Sequence, residues 1–153
     1  AGMIELARAA DRTDVNRLAR QIHQLHVDWR PDIYQMPEEL FSEEQFQELI
    51  GTRQMYGGKL NGIVVGYAIL KIREYNWPAV VYRRVMVLDQ LCVEETLRGH
   101  GLGTAMMEDI RALAKAFGCT DMQLSVYPQN DEAIGFYQKC GFTIRNINMQ
   151  RKV

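Results

Sequence analysis

The chain has 153 residues, which suits one domain whose single core buries roughly two thirds of the unfolded surface. Its 47% hydrophobic and 24% charged residues are those of an ordinary globular protein, and no stretch approaches the roughly 20 apolar residues of a membrane span. Eighteen basic and nineteen acidic side chains leave a net charge of −1, so no overall field draws the protein to nucleic acid or to an anionic membrane.

Ala1-Gly2 before Met3 resembles the remnant of a cleaved expression tag and is left out of the fold reading, which treats 1–153 as a single domain. Met3 to Ala9 alternates as a short strand, and Val15, Leu18, Ala19, Ile22 and Leu25 then recur at helical spacing behind Asp11 and Thr13, either of which can cap. Pro31 breaks that pattern, and Ser42-Glu43-Glu44-Gln45 starts a second helix with Phe46, Leu49 and Ile50 on one face. The stretch between is a helix-loop-helix arm. Gln54 to Lys59 and Ile63 to Ile72 flank Asn61-Gly62, the strongest short signal for a hairpin, and Val80 to Val93 adds a third strand to the meander. From Gly101 the period lengthens, with Leu102, Ala105, Met106, Ile110, Leu113, Ala114 and Phe117 on one face of a long helix that Gly118 stops. Met122 to Val126 reads as a strand, Asn130 to Lys139 as a short helix, and Phe142 to Met149 as a final strand or hairpin. Cys92, Cys119 and Cys140 lack the C-x-x-C spacing of zinc or redox sites and read as structural thiols. No metal is expected, and the reduced thiols suit a cytoplasmic location.

The stretch Leu97-Arg98-Gly99-His100-Gly101-Leu102-Gly103-Thr104 joins a strand to that long helix. Such a junction offers unpaired backbone N–H groups and the positive end of a helix dipole to an anion. A triphosphate loop needs Gly-Lys-[Ser/Thr] at its end, and no Lys follows Gly103. A dinucleotide fingerprint needs a third glycine at 104 or 106, where the chain has Thr and Met.

Arg98 to Gly103 instead resembles the R/Q-x-x-G-x-G/A loop of the GCN5-related N-acetyltransferase (GNAT) superfamily. Asn130-Asp131-Glu132-Ala133-Ile134-Gly135-Phe136-Tyr137-Gln138-Lys139-Cys140-Gly141-Phe142 is similar to its second signature, N-x-x-A-x-x-F-Y-x-x-x-G-F. Two motifs in the right order make a chance match improbable, and Asn61 to Tyr67 is similar to the family's early hairpin. The resemblance implies an α/β fold: a mostly antiparallel central sheet with a splayed parallel strand pair, flanked by about four helices.

The resemblance also implies the cofactor and the chemistry. Acetyl-CoA would be the co-substrate, its pantetheine arm pairing with the backbone of Leu91, Cys92 and Val93. Its pyrophosphate would lie among the amides of Arg98, Gly99, His100, Gly101, Leu102, Gly103 and Thr104. Asn130, Ala133 and Phe136 carry over as further cofactor contacts. Tyr137 matches the general acid that protonates the leaving thiolate, and Asp89, two residues before Leu91 and on its strand face, is the candidate base, with Glu94 or Glu95 acting through water as competitors. Glu95-Thr96-Leu97 departs from the Pro-Glu-Tyr that often precedes the Arg in relatives.

On the same resemblance the acceptor would be a primary amine of a small molecule, an aminoglycoside-like compound or a peptide N-terminus, attacking directly in a ternary complex. Trp29, Tyr34, Trp77 and Tyr82 are its candidate aromatic lining, with His23, His26 and Asp32 as polar contacts. A coenzyme A-binding sensor without turnover is the alternative. By analogy, free strand edges in such a fold suit a homodimer; the oligomeric state stays open.

Overall fold

In the computed structural model, which describes residues 2–153, Asn61 and Gly62 both take positive φ, 52° and 79°. That pair of left-handed residues matches the twist of the strands it joins. The strands are β2 (Met55–Leu60) and β3 (Ile63–Tyr75), paired antiparallel from Met55↔Ile69 to Leu60↔Ile63. β1 (Ile4–Leu6) lies antiparallel on β2, and β4 (Arg83–Val93) antiparallel on β3. The Tyr75↔Arg83 pair carries β3 three residues past its expected end at Ile72 and starts β4 three residues after Val80. β5 (Asp121–Leu124) pairs in parallel with β4, giving the order β1-β2-β3-β4-β5. This is the mostly antiparallel sheet with one parallel pair that the sequence implies.

Four α-helices cover the two faces. α1 (Arg12–Trp29) and α2 (Glu43–Gly51) bury Val15, Leu18 and Phe46 against Met55, Val64, Tyr67, Ile69 and Cys92. On the other face α3 (Leu102–Ala116) buries Met107, Ile110 and Ala114 against Tyr56, Ala68, Leu70, Met86 and Leu88, and α4 (Asp131–Lys139) adds Phe136 and Tyr137. Tyr67 and Ile69 therefore face one helix layer while Ala68 and Leu70 face the other. That is why Val64 to Leu70 is buried without interruption rather than alternating with polar residues.

Local chemistry fixes the arm between α1 and α2. Ser42 Oγ accepts from the Gln45 N–H at 3.1 Å while Gln45 Oε1 accepts from the Ser42 N–H, a reciprocal cap. Asn16 makes paired bonds with the Phe41 backbone at 2.8 and 3.0 Å. Asp11 does not cap α1 through its side chain. Its carboxylate accepts the Arg8 N–H at 2.8 Å and pairs with Lys59 at 3.2 Å.

The expected final strand is absent among the described residues. After Phe142, whose N–H donates to the Tyr137 carbonyl at 3.0 Å, the chain runs on without a ladder partner, leaving Ile144, Ile147 and Met149 exposed. The apolar spacing was legible, but a strand exists only where another backbone meets it. No helix among the described residues is long and apolar enough to cross a membrane.

Candidate active site

β4 and β5 stay paired only as far as Leu88↔Leu124. Beyond that point β4 continues through Asp89–Val93, still bonded to β3, while the chain after β5 turns away. A register shift opposite Ile69 and Leu70 leaves Asp89 as the extra residue of a bulge, and bulges bend a strand. The edge of Leu91, Cys92 and Val93 that faces away from β3 thus borders a wedge with no strand in it.

The loop leaving this edge is anchored by the Glu94 N–H, which donates to the Val65 carbonyl at 2.7 Å. A single 3-10 turn, Glu95–Leu97, leads to Gly99 and Gly101 at φ of 83° and 80°, and a Cβ built on either meets nothing within 4 Å. Both glycines serve the left-handed backbone and leave open space in front of it. Helical bonding in α3 begins with the Ala105 N–H to the Gly101 carbonyl at 3.0 Å, and no side chain caps its N-terminus. The amides of Leu102, Gly103 and Thr104 therefore have no intrahelical acceptor. Gly103 has a different reason to be glycine: a Cβ there would stand 3.2 Å from Cε1 and Cζ of Phe136. Its missing side chain lets α4 close on α3, which sets the neighbouring Tyr137.

Asn130 caps α4, its Oδ1 accepting the Ala133 N–H at 3.2 Å. The Tyr137 ring packs between Phe136 and Phe142, with centroids at 5.6 and 5.9 Å. Burial pushes its hydroxyl above the usual tyrosine range, with lesser contributions from Cys140 and Cys92, so it is a proton donor at neutral pH. The Cys92 thiol, pushed up to about 12 by burial, lies 3.5 Å from the Leu18 carbonyl. It is a packed thiol, and only its backbone faces the wedge.

The bulge corrects one expectation. Leu91 packs with the α3 layer, but Asp89 reaches Lys71 at 3.3 Å and Gln90 accepts from the Tyr67 hydroxyl at 2.7 Å, both on the α1 side. Asp89 and Leu91 therefore do not share a face, because the extra residue reverses the alternation between them. Glu94 is engaged by the Arg17 guanidinium, which holds its carboxyl below the usual range, with Gln21 as a second donor. That pairing weakens it as a base.

On the α1 side, Trp29 and Tyr34 join His23, His26 and Tyr127. The Tyr34 and Tyr127 hydroxyls are 2.6 Å apart, and His26 stands 5.3 Å from Tyr34 and 5.7 Å from Tyr127 between ring centroids. Burial, then His23, lowers the His26 pKa, which keeps the imidazole neutral near pH 7. The Arg30 guanidinium grips Asp32 through two bonds of 2.9 and 2.8 Å and holds its carboxyl at about 2. Trp77 and Tyr82 are not among these contacts: Trp77 packs at a tilt against Tyr75 at the β3–β4 turn, and the Tyr82 hydroxyl donates to Glu74. Tyr127 and Gln90 are the residues that sequence reading missed. A Tyr-Pro step just after β5 was the only signal for the first, and Gln90 carried none.

Residues 19–142 match the acetyltransferase (GNAT) family. An uncharacterised N-acetyltransferase of Methanocaldococcus jannaschii, MJ1207, is 30% identical over 58% of this chain, an alignment that spans only 38% of that relative. The bovine thialysine N-epsilon-acetyltransferase is 25% identical over 91% of this chain and 82% of its own length. Among solved structures, a variant of the Bacillus halodurans BH1408 protein superposes with a TM-score of 0.92 at 27% identity, over 98% of each chain.

Proposed function

The chain belongs to the acetyltransferase (GNAT) family, and we propose that it moves an acetyl group from acetyl-CoA to a primary amine by direct attack in a ternary complex. The observation that carries this reading is the place of Tyr137, a half-buried phenol that α4 packs into the same layer as Leu91 of β4 and Leu124 of β5, with its hydroxyl protonated at neutral pH. The residues around the wedge fit the co-substrate. The free edge of Leu91, Cys92 and Val93 would take an extended amide-bearing arm in the manner of strand addition. The loop from Arg98 to Thr104, with open space at Gly99 and Gly101, would take the pyrophosphate. Asn130, Ala133 and Phe136 would border it from α4.

Acetyl-CoA supplies an activated thioester. Tyr137 would give its Oη proton to the departing sulfur, and the backbone N–H groups near Val93 would polarise the thioester carbonyl. An alkylamine with a pKa near 10.4 is neutral in only about one molecule in a few thousand at pH 7, so removing its proton contributes directly to rate. Asp89 is the base of this reading, acting directly or through one water: its pair with Lys71 is half-exposed, whereas the Glu94 carboxylate is largely covered in its pair with Arg17. Trp29, Tyr34 and Tyr127 form an apolar wall for the acceptor's carbon skeleton. The thialysine named for the bovine relative is an amine on a flexible chain, which supports an acceptor of that kind.

Release of free coenzyme A thiol from acetyl-CoA, measured across a panel of diamines, lysine-like amino acids, aminoglycosides and short peptides, tests the proposal. Turnover with at least one amine supports it. Binding of acetyl-CoA without thiol release from any acceptor would leave a binding module in its place.

A further inference from the structure

β2 begins at Met55, and just before it the Gln54 carbonyl accepts the Leu70 N–H at 2.8 Å. From Lys71 to Tyr75, β3 is paired with β4 alone. This corner of the sheet holds a cavity of about 650 Å³, lined by Tyr56, Leu70, Ile72 and Met86 and by Phe117 at the end of α3. That volume is in the range of small-molecule sites. Met86 stands about 15 Å along β4 from Leu91, so the cavity is separate from the wedge. Ile72 and Phe117 keep 38% and 36% of their surface exposed, which leaves apolar area for a guest to cover.

The charged lining has one sign. Arg53, Lys71 and Arg84 border the cavity, and no carboxylate does. Lys71 is paired with Asp89 at 3.3 Å and Arg84 with Glu74, whereas the Arg53 side chain makes no ion pair or hydrogen bond with the described residues. Arg53 also takes a φ of 57° just past the end of α2, a position where glycine is the usual residue. A long side chain held on a left-handed backbone is the kind of strain that collects at functional positions. Tyr56 is an independent sign of a ligand. It is 5% exposed and lines the cavity, yet its hydroxyl makes no hydrogen bond with the described residues. Arg53 is within electrostatic reach of it. A covered phenol without a partner is costly unless something in the cavity accepts its hydrogen bond.

An unpaired cation and an unpaired donor, together over an apolar surface, select one negative charge on an apolar body. We propose that this corner binds a small organic carboxylate, whose oxygens accept from the Arg53 guanidinium and the Tyr56 hydroxyl while its carbon skeleton covers Leu70, Ile72, Met86 and Phe117. A dianion would leave one charge unmatched, because Lys71 and Arg84 already have partners.

Titration of the isotope-labelled chain with hydrocinnamate and with octanoate, followed by amide chemical shifts, tests the site. Either carboxylate should saturate at roughly 1 mM or below, the affinity that about ten heavy atoms reach, with shifts centred on residues 52–54 and 70–72. Hydrocinnamide, the neutral analogue, should bind at least about tenfold more weakly. Arg53→Gly should weaken carboxylate binding by about tenfold or more, and it should keep its Tm because glycine suits a positive φ. Tyr56→Phe orphans no partner and should weaken binding roughly three- to tenfold. Melting curves on both variants verify the fold, and none of these readouts depends on acetyl transfer. Absence of saturation by both carboxylates, equal binding of the neutral amide, or full-strength binding to either variant overturns the site. Shifts at the same amides that follow protein concentration alone would overturn it as well, by assigning the corner to a second copy of the chain.

Discussion

Tyr137→Phe separates chemistry from stability more cleanly than any other single change. The Tyr137 hydroxyl makes no hydrogen bond with the described residues, so removing it orphans no partner, and the ring keeps its contacts with Phe136 and Phe142. The cost to folding is then well below about 1 kcal/mol, which for a chain of this size is at most about 2–4 °C in Tm. The cost to catalysis is that of a general acid, roughly 100- to 1,000-fold in kcat, or about 3–4 kcal/mol on the barrier. The affinity for acetyl-CoA should hardly move, because the phenyl ring still packs as before. Burial raises the hydroxyl's pKa, so its donating form persists above the ordinary tyrosine range. Any alkaline limb in kcat that belongs to this group therefore lies above about pH 10 in the wild type, and Tyr137→Phe removes it. The assay is thiol release under saturating acetyl-CoA and amine, with melting curves taken in parallel. A variant that turns over at the wild-type rate would remove Tyr137 as the acid, and a large drop in Tm would show that the ring, not the proton, had been disturbed.

Gly101→Val puts a β-branched residue at φ of 80°, a backbone conformation that costs roughly 1–2 kcal/mol for an L-residue, and fills the open space before the amides. Acetyl-CoA at a hundredfold excess over Kd, worth about 2.7 kcal/mol to the wild type, should no longer raise its Tm; an undiminished shift would place the pyrophosphate elsewhere. Asp89→Asn breaks only a half-exposed pair with Lys71, the kind of pair worth roughly 0–1 kcal/mol. It should leave Tm nearly unchanged while lowering kcat, with little effect on acetyl-CoA affinity, and an undiminished kcat would pass the role of base to water. The folded state lowers the pKa of His26 below its ordinary 6.5, so the unfolded chain binds more protons between the two values. Stability should therefore rise with pH through that window and be lost as pH falls through it, a dependence that melting curves should show flattened in His26→Phe.

Much of this was written in the order of residues along the chain. Asn61-Gly62 can turn only one way without strain, Ser42 and Gln45 cap each other within one turn, and the apolar stripe from Leu102 to Phe117 needs a helix to gather it. These are short-range consequences of residue type, and so are the left-handed glycines at 99 and 101. The signatures at Arg98–Gly103 and Asn130–Phe142 likewise pointed to the family before any tertiary contact was considered. Tertiary structure decided what depends on pairing between distant segments. The bulge at Asp89 exists because β3 offers one residue fewer than β4 across that stretch, and it turned Asp89 away from the face of Leu91. Gly103 is crowded by Phe136, more than thirty residues later, whose ring stands 3.2 Å from where a Cβ would be. Trp77 and Tyr82 meet Tyr75 and Glu74 of their own hairpin, whereas Tyr127 meets Tyr34 and His26 through the chain after β5. Phe142–Met149 has the composition of a strand, but the ladder that would make it one needs an edge that no described residue brings to it. Residue types settled the local backbone; the meeting of remote strands settled which side chains stand on each face of the sheet.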